Sequence, residues 1–192
     1  MNAEQRRKAE ALNRLHKQLI QTTEILSMDV KLADEQLRKD ESHEQFWRRT
    51  VIRCVCALVE GTLSVLKNVV PETAGFFHVS LTENDKEVIT ELRVDKISGL
   101  PKPAFLRPRE NVKETIKIFA KAHAIQLTVK YDDQTFDDLC DTFELRNKLM
   151  HPKNSSDLEV KETDIKAAVQ GWNWLDSALV NLLAESGKRV SH

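Results

Sequence analysis

The sequence has few of the residues that interrupt helices or cross-link a chain. Only 5 Gly and 5 Pro occur among 192 residues, which is too few for the many tight turns of an all-β sandwich. The 3 cysteines are too few and too scattered for a disulfide framework, and they suit a reducing compartment. These shortages predict a mostly α-helical protein.

Long hydrophobic runs are also missing. No uninterrupted apolar stretch approaches the ~20 residues that a membrane-spanning helix needs, and the charged N-terminal segment lacks the apolar run of a signal peptide. We therefore expect no membrane partner and a cytoplasmic location. With 41% hydrophobic and 31% charged residues, the chain has the composition of a folded protein of one ordinary domain or two small ones.

Neither sign of charge dominates the whole chain. The 29 Lys and Arg side chains stand against 30 Asp and Glu side chains, which excludes the strongly basic character of many nucleic-acid-binding domains. Locally the balance is uneven, because 102–121 is basic and 132–144 is acidic. The basic segment is the best candidate surface for an RNA backbone, although lysines on a helix are more often simply solvated. Its candidate RNA-binding residues are Arg107, Arg109, Lys113, Lys117 and Lys121.

The apolar spacing divides the chain into an N-terminal helical arm, 1–40, and a helical domain, 41–192, with an insert at roughly 72–131. The polar, charge-rich arm carries a narrow apolar stripe over 3–38, which predicts a helical hairpin lying on the rest of the chain. Packing of that stripe on a partner chain is the second interpretation.

Residues 44–70 are apolar around most of a helical circumference, so this helix should be central. Its polar residues, among them Glu60 and Lys67, form one stripe, and Pro71 should end it. Further helices are expected over 83–93 with Thr82 as N-cap, over 110–123, over 134–150, and from an N-cap at Thr163 to a frayed end at 186–187.

One segment has the period of a strand. Apolar and polar residues alternate over 125–131, and the only candidate mate is the alternation at 77–81. These two segments predict a small two-stranded ribbon. The predicted fold is therefore an all-α helical bundle with an N-terminal helical arm and a small β-ribbon.

The most informative segment is the end of the helix over 134–150. On a helical wheel, Phe136, Phe143 and Met150 share one apolar stripe, Asn147 falls near its middle and Arg146 at its edge. A guanidinium and a carboxamide facing a core or an interface are costly unless they are paired. Both side chains should therefore have partners.

His151 follows at the point where the helix should stop. Pro152 disfavours the α conformation at His151 and pushes this residue towards extended backbone. The imidazole is then free to turn back towards Arg146, so that Arg146, Asn147 and His151 can converge at one helix end without a metal. The other histidines are scattered without ligand spacing, and we expect neither a metal nor a cofactor.

The run from Arg146 to His151 resembles the Arg-x4-6-His motif of the HEPN superfamily, in the form that has Asn directly after Arg. The resemblance covers roughly 44–70 and 132–185. It implies a homodimeric, metal-independent endoribonuclease of toxin–antitoxin or anti-phage defence systems, with RNA as substrate and an antitoxin or defence-system protein as a candidate partner. By this resemblance, His151 acts on the ribose 2′-hydroxyl or the leaving oxygen, Arg146 stabilises charge on the phosphate, and Asn147 holds the geometry. The expected products are a 2′,3′-cyclic phosphate and a 5′-hydroxyl.

Two acidic residues are candidates to support Arg146. Glu60 resembles the acidic residue that many HEPN domains carry on the earlier core helix, although solvent exposure or a bond to Arg53 fits equally well. Asp176 lies beside the apolar stripe of the last helix and is a comparable candidate.

Two other interpretations of the motif remain. Arg146 and Asn147 can have a purely structural role at the helix end. In the second, the domain is a non-catalytic HEPN module that binds a partner protein or a nucleotide. Lys153 stands where some HEPN toxins carry a Tyr that their antitoxin modifies, which argues against that route of neutralisation.

Overall fold

The computed structural model describes residues 3–190, and within them the fold is all-α with one two-stranded antiparallel sheet. Four residues of the predicted arm and domain, including His192, lie outside this range. None of the described helices is both long and apolar enough to cross a membrane. The elements are α1 (Ala3–Lys39), a 3-10 turn (Glu41–His43), α2 (Glu44–Phe76), α3 (Glu83–Thr90), β1 (Leu92–Val94), β2 (Pro101–Pro103), α4 (Pro108–Ala122), α5 (Gln134–Met150), a 3-10 turn (Ser155–Leu158) and α6 (Glu162–Val190).

The chain forms two compact units that are not contiguous in sequence. The first, here the ribbon unit, comprises the chain up to Ile20, Leu63–Val129 and the chain from Asn181. The second, here the motif unit, comprises Gln21–Thr62 and Lys130–Val180. Helices α1, α2 and α6 each contribute residues to both units. The division into an arm, 1–40, and a domain, 41–192, stays a prediction.

The motif unit is built on the first half of α2. Val51, Ile52 and Val55 are fully buried, as the apolar circumference of this helix predicts. Helix α6 comes very close to α5, because a Cβ added at Gly171 would lie 2.6 Å from the backbone of Leu139. The main cluster of buried residues here is Ala33, Val51, Ile52, Val55, Leu149, Val160, Ile165 and Ala168.

The ribbon unit buries apolar side chains of the second half of α2 and of α4, including Leu66, Ile116 and Phe119. The predicted cap of α3 is present: Thr82 accepts a hydrogen bond from Asp85 N at 3.1 Å, and Asp85 accepts one from Thr82 N at 2.8 Å. This reciprocal pair satisfies two backbone N–H groups at the helix start.

Lys67 belongs to the polar stripe that the sequence predicts for α2, but its side chain is not exposed to solvent. It is buried, and its ammonium group binds Glu91 at 2.6 Å. The pairing explains the burial, because a lysine inside a protein needs a partner for its charge.

The arm and the end of α2 differ from the prediction. The arm is a single helix, α1, and not a hairpin. Pro71 does not end α2, which continues to Phe76. The turn after the proline buries Thr73 and Ala74, and this packing offsets the hydrogen bond that the proline cannot make.

The start and end of α6 also differ from the prediction. The helix begins at Glu162 rather than after Thr163, because Lys161 occupies the capping position and its N–H donates to Asp164 at 2.7 Å. At the other end Ser186 is buried and helical instead of frayed. Side-chain packing thus extends the helix beyond the signals in its sequence.

The ribbon exists, but in a different segment from the one predicted. β1 and β2 pair around a turn in which Asp95 Oδ1 accepts hydrogen bonds from Ile97 N and Ser98 N, and Gly99 adopts a positive φ of 69°. Residues 125–131 form no strand, although their side chains do alternate between half-buried and exposed. The alternation of apolar and polar residues therefore does not specify a strand by itself, whereas turn chemistry determines where the ribbon forms.

Candidate active site

Helix α5 begins and ends where the sequence predicts. Asp133 caps it by accepting a hydrogen bond from Thr135 N at 2.9 Å. The helix ends at Met150, and His151 leaves the α region with φ −133° and ψ 58°. The His151 N–H donates to Asn147 O at 3.0 Å and closes the last turn. Pro152 explains this termination, because it disfavours helical backbone at the residue before it.

Arg146 is the least exposed polar residue of the motif. Its side chain is 25% exposed and forms an ion pair with Glu60 of α2, which is 52% exposed. The guanidinium carbon lies 5.8 Å from the centre of the Phe143 ring. Within the described part of the chain, Arg146 Nε is buried and donates to no acceptor. The guanidinium is therefore oriented by Glu60 of α2, and it is the exposed quarter of the side chain, not the buried Nε, that solvent can reach.

The structure distinguishes between the two acidic candidates. Glu60 pairs with Arg146 and not with Arg53, while Asp176 is exposed and forms no ion pair among the described residues. The pairing joins α2 and α5, which are 86 residues apart at this point. Spacing along the sequence does not reveal such a contact.

The wheel of α5 is correct for Phe136 and Phe143, which are buried, but misplaces Asn147 and Met150. Asn147 is exposed, and so is Met150, whereas Leu149 is buried. The buried face is centred near Leu139 and Arg146, because α6 packs on that side through Gly171. Asn147 is thus at the surface of the chain, next to the partly buried arginine.

His151 is exposed, and its imidazole makes no hydrogen bond to any described side chain. The predicted convergence with Arg146 is therefore not fixed by a direct bond in the single chain. Both residues lie at the same end of α5, one on its buried edge and the other at its terminus.

Cys56 is a neighbour of the site that the sequence did not indicate. It precedes Glu60 by one helical turn, and its thiol donates to Thr142 O of α5 at 3.8 Å. Burial raises the pKa of the Cys56 thiol to about 12, and nearby Arg146 only partly opposes this increase. The thiol is thus a neutral packing group beside the guanidinium.

The predicted RNA-binding residues lie in the ribbon unit, on and just before α4. Arg107 is exposed and precedes the helix. Lys117 pairs with Glu114 and Lys121 with Asp85, each at 2.6 Å. Arg109 and Lys113 are half-buried. The basic surface is therefore partly balanced by its own carboxylates.

An acidic groove follows the motif helix. It has a volume of about 240 Å³, and the carboxylates of Asp141, Glu144 and Asp164 line it together with Lys148. In the described part of the chain, no three His, Cys, Asp or Glu side chains are grouped so that they could hold a metal ion.

Comparison with protein-family models, with curated proteins and with solved structures finds no match for this chain.

Proposed function

We propose that this chain is a metal-independent endoribonuclease of the HEPN type, with Arg146, Asn147 and His151 as its reacting site. One arrangement carries the proposal: a guanidinium held by Glu60 from another helix lies at the same helix end as an exposed imidazole. The resemblance of the motif supports a setting in toxin–antitoxin or anti-phage defence.

Arg146 has the surroundings of a phosphate-binding residue. A guanidinium carries five N–H donors in a planar fork, and one carboxylate occupies only part of that fork. Glu60 orients the group, and the exposed quarter of the side chain leaves donors for phosphate oxygens. In the proposed reaction, Arg146 stabilises the charge that develops on the phosphate.

His151 supplies the proton transfer. An imidazole gains and loses a proton near neutral pH, and at an exposed helix end it can reach a bound RNA strand. The ribose 2′-oxygen loses its proton and attacks phosphorus, the bond to the 5′-oxygen breaks, and that oxygen gains a proton. The products are a 2′,3′-cyclic phosphate and a 5′-hydroxyl. Asn147 holds the strand through its exposed carboxamide.

The proposed enzyme is a homodimer in which two motifs share one cleft. Exposed apolar side chains support association, including Met150 at the end of α5. In a dimer, the His151 of one copy and the Arg146 of the other can serve the same phosphate. This arrangement does not require the two side chains to touch within one chain.

The test is cleavage of a mixed-sequence RNA by the full chain in excess EDTA, with detection of 2′,3′-cyclic phosphate ends. We expect cleavage that His151→Ala lowers by roughly a hundredfold or more. Lys153→Ala is the matched control, because it changes an exposed neighbour outside the motif. Light scattering of the same preparation should give a dimer. A dimer that leaves RNA intact, or equal rates for His151→Ala and wild type, would contradict the proposal.

A non-catalytic module that binds a partner protein or a nucleotide is the second candidate. It is favoured by the ion pair of Arg146 with Glu60 inside one chain, since a paired arginine can be structural. If RNA stays intact but Arg146→Ala weakens binding of a nucleotide such as ATP, this candidate replaces the first.

A further inference from the structure

The ribbon of β1 and β2 is unusually exposed. All six residues of its two strands are exposed, and so are apolar residues of its turn and of the segment that follows. Ile97 is 99% exposed, Phe105 74% and Val94 62%. Clusters of exposed apolar side chains on one surface commonly mark a binding site.

The strand register divides this ribbon into two different faces. Leu92 pairs with Pro103 and Val94 with Pro101, so these four apolar side chains point to one face. Arg93 and Lys102 form the pair between them and point to the other face. In the described chain nothing buries the apolar face.

The two edges of the ribbon differ in their hydrogen-bonding groups. Glu91 O accepts from Ala104 N at 2.8 Å and Leu100 O accepts from Asp95 N at 2.9 Å. Hydrogen-bonded and non-hydrogen-bonded pairs alternate along an antiparallel ladder. The pairs Leu92–Pro103 and Val94–Pro101 are therefore non-hydrogen-bonded, and their backbone groups point away from the partner strand. On β2 those outward positions are prolines, which have no N–H, so that edge is blocked.

The β1 edge has no such protection around Val94. At Leu92 the Thr90 hydroxyl lies 3.4 Å from the N–H, a long contact, and this hydroxyl also lies 2.7 Å from Lys86 O, to which it donates. The Val94 N–H and C=O therefore form the open part of the edge, with the apolar face beside them.

The surroundings of this edge are basic. Arg93 of β1 and Lys96 of the turn are exposed, and Lys102 is held by Asp95 at 2.6 Å. Asp95 is the one carboxylate between Leu92 and Arg107, and the turn already uses it. A ligand of this edge should therefore be acidic.

We propose that the β1 edge is a docking site for an extended, acidic segment of a partner protein, which adds as a third strand beside Val94. The open backbone groups of Val94 pair with the segment, its apolar side chains cover Leu92 and Val94, and its carboxylates meet Arg93 and Lys96. Aliphatic side chains dominate this surface, whereas single-stranded RNA is bound mainly on aromatic ones. The proposal is independent of the proposed ribonuclease activity.

The test uses a fluorescent peptide in which Glu and Val alternate, titrated with the full chain by anisotropy. Val94→Pro removes the outward N–H but no N–H that the ribbon itself uses, so we expect affinity to fall roughly tenfold. Val94→Ala is the matched control, because it shortens the side chain and keeps the N–H, and it should bind several times more tightly than Val94→Pro. Slow hydrogen exchange at the Asp95 amide checks that the ribbon is intact.

A second variant tests the charge complementarity without introducing a proline into the ribbon. Arg93→Glu combined with Lys96→Glu should abolish peptide binding at low salt. No peptide binding by the wild type, or equal binding by Val94→Pro and Val94→Ala with an intact ribbon, would overturn the proposal. Tighter binding of a uridine oligomer or of phosphatidylserine vesicles than of the peptide, lost in the double variant, would overturn it as well.

Discussion

The Lys67–Glu91 pair of the ribbon unit and the Arg146–Glu60 pair of the motif unit each join distant parts of the chain, and the two pairs differ in burial. In the ribbon unit, Lys67 is 5% exposed and Glu91 is its carboxylate partner. In the motif unit, both Arg146 and Glu60 retain access to solvent. A ligand in solvent cannot reach the ammonium group of a buried lysine, whereas it can reach the exposed quarter of the arginine side chain. The first pair is suited to stability and the second to binding.

The largest difference should appear when each carboxylate is removed. Glu91→Ala leaves the charge of Lys67 buried and unpaired, so we expect the free energy of unfolding to fall by about 3 kcal/mol. Glu60→Ala should cost about 1 kcal/mol, because the Arg146 guanidinium can be hydrated instead. Urea unfolding at neutral pH measures both. Equal losses would show that burial does not distinguish the two pairs. As a control, Lys67→Met removes the buried charge itself and should leave the free energy of unfolding nearly unchanged.

A second contrast concerns glycines in the helices of the two units. In the motif unit, Gly171→Ala places a Cβ about 2.6 Å from the Leu139 backbone, and we expect a loss of about 2 kcal/mol. In the ribbon unit, Gly75 has open space around it, and Gly75→Ala should stabilise α2 by about 0.5 kcal/mol. Thermal unfolding of both variants gives the comparison. A neutral Gly171→Ala would show that α5 and α6 can separate without cost.

The smallest expected difference between the two units is in how they contribute to the pH dependence of the free energy of unfolding. In the ribbon unit, His123 Nδ1 donates to Phe119 O at 2.8 Å and its Nε2 lies 3.1 Å from His16 Nε2. Burial lowers the pKa of His123 from 6.5 to about 4. Between these values the unfolded chain binds the proton more strongly, so the free energy of unfolding falls as the pH decreases.

Between neutral pH and about pH 5, this histidine should contribute a loss of about 2 kcal/mol. His123→Leu should reduce the pH dependence of urea unfolding by that amount. The control is His151→Ala in the motif unit, which removes an exposed imidazole and should leave the dependence unchanged. If His123→Leu and wild type respond equally to pH, the buried histidine is not responsible for acid sensitivity.

Much of the fold follows from local signals in the sequence. The Thr82 cap starts α3, Asp133 starts α5, and Pro152 ends α5 at the predicted residue. These signals act through neighbouring backbone groups, so they operate whatever the rest of the chain does. Pro71 and Thr163 show their limit, because packing extends α2 beyond the proline and α6 ahead of its predicted cap.

The candidate site was only partly predictable. Periodicity identified Phe136 and Phe143 as buried, and Pro152 identified the helix end near His151. Periodicity placed Asn147 at the centre of the buried face, where the structure has Arg146, because the position of that face depends on which side α6 approaches. The choice of Glu60 over Asp176 likewise depends on how α2 lies against α5.

Composition and apolar spacing predict a helical protein, the boundaries of several of its helices, and a chemically distinctive Arg-Asn-His run at the end of one of them. Caps, prolines and apolar spacing act over a few residues, so these properties follow from the sequence wherever packing does not override the local signal. Only the tertiary structure decided which polar groups pair, such as Arg146 with Glu60 and Lys67 with Glu91, and which edge of the ribbon stays open. Pairing of this kind joins residues far apart in the chain, so no local pattern specifies it.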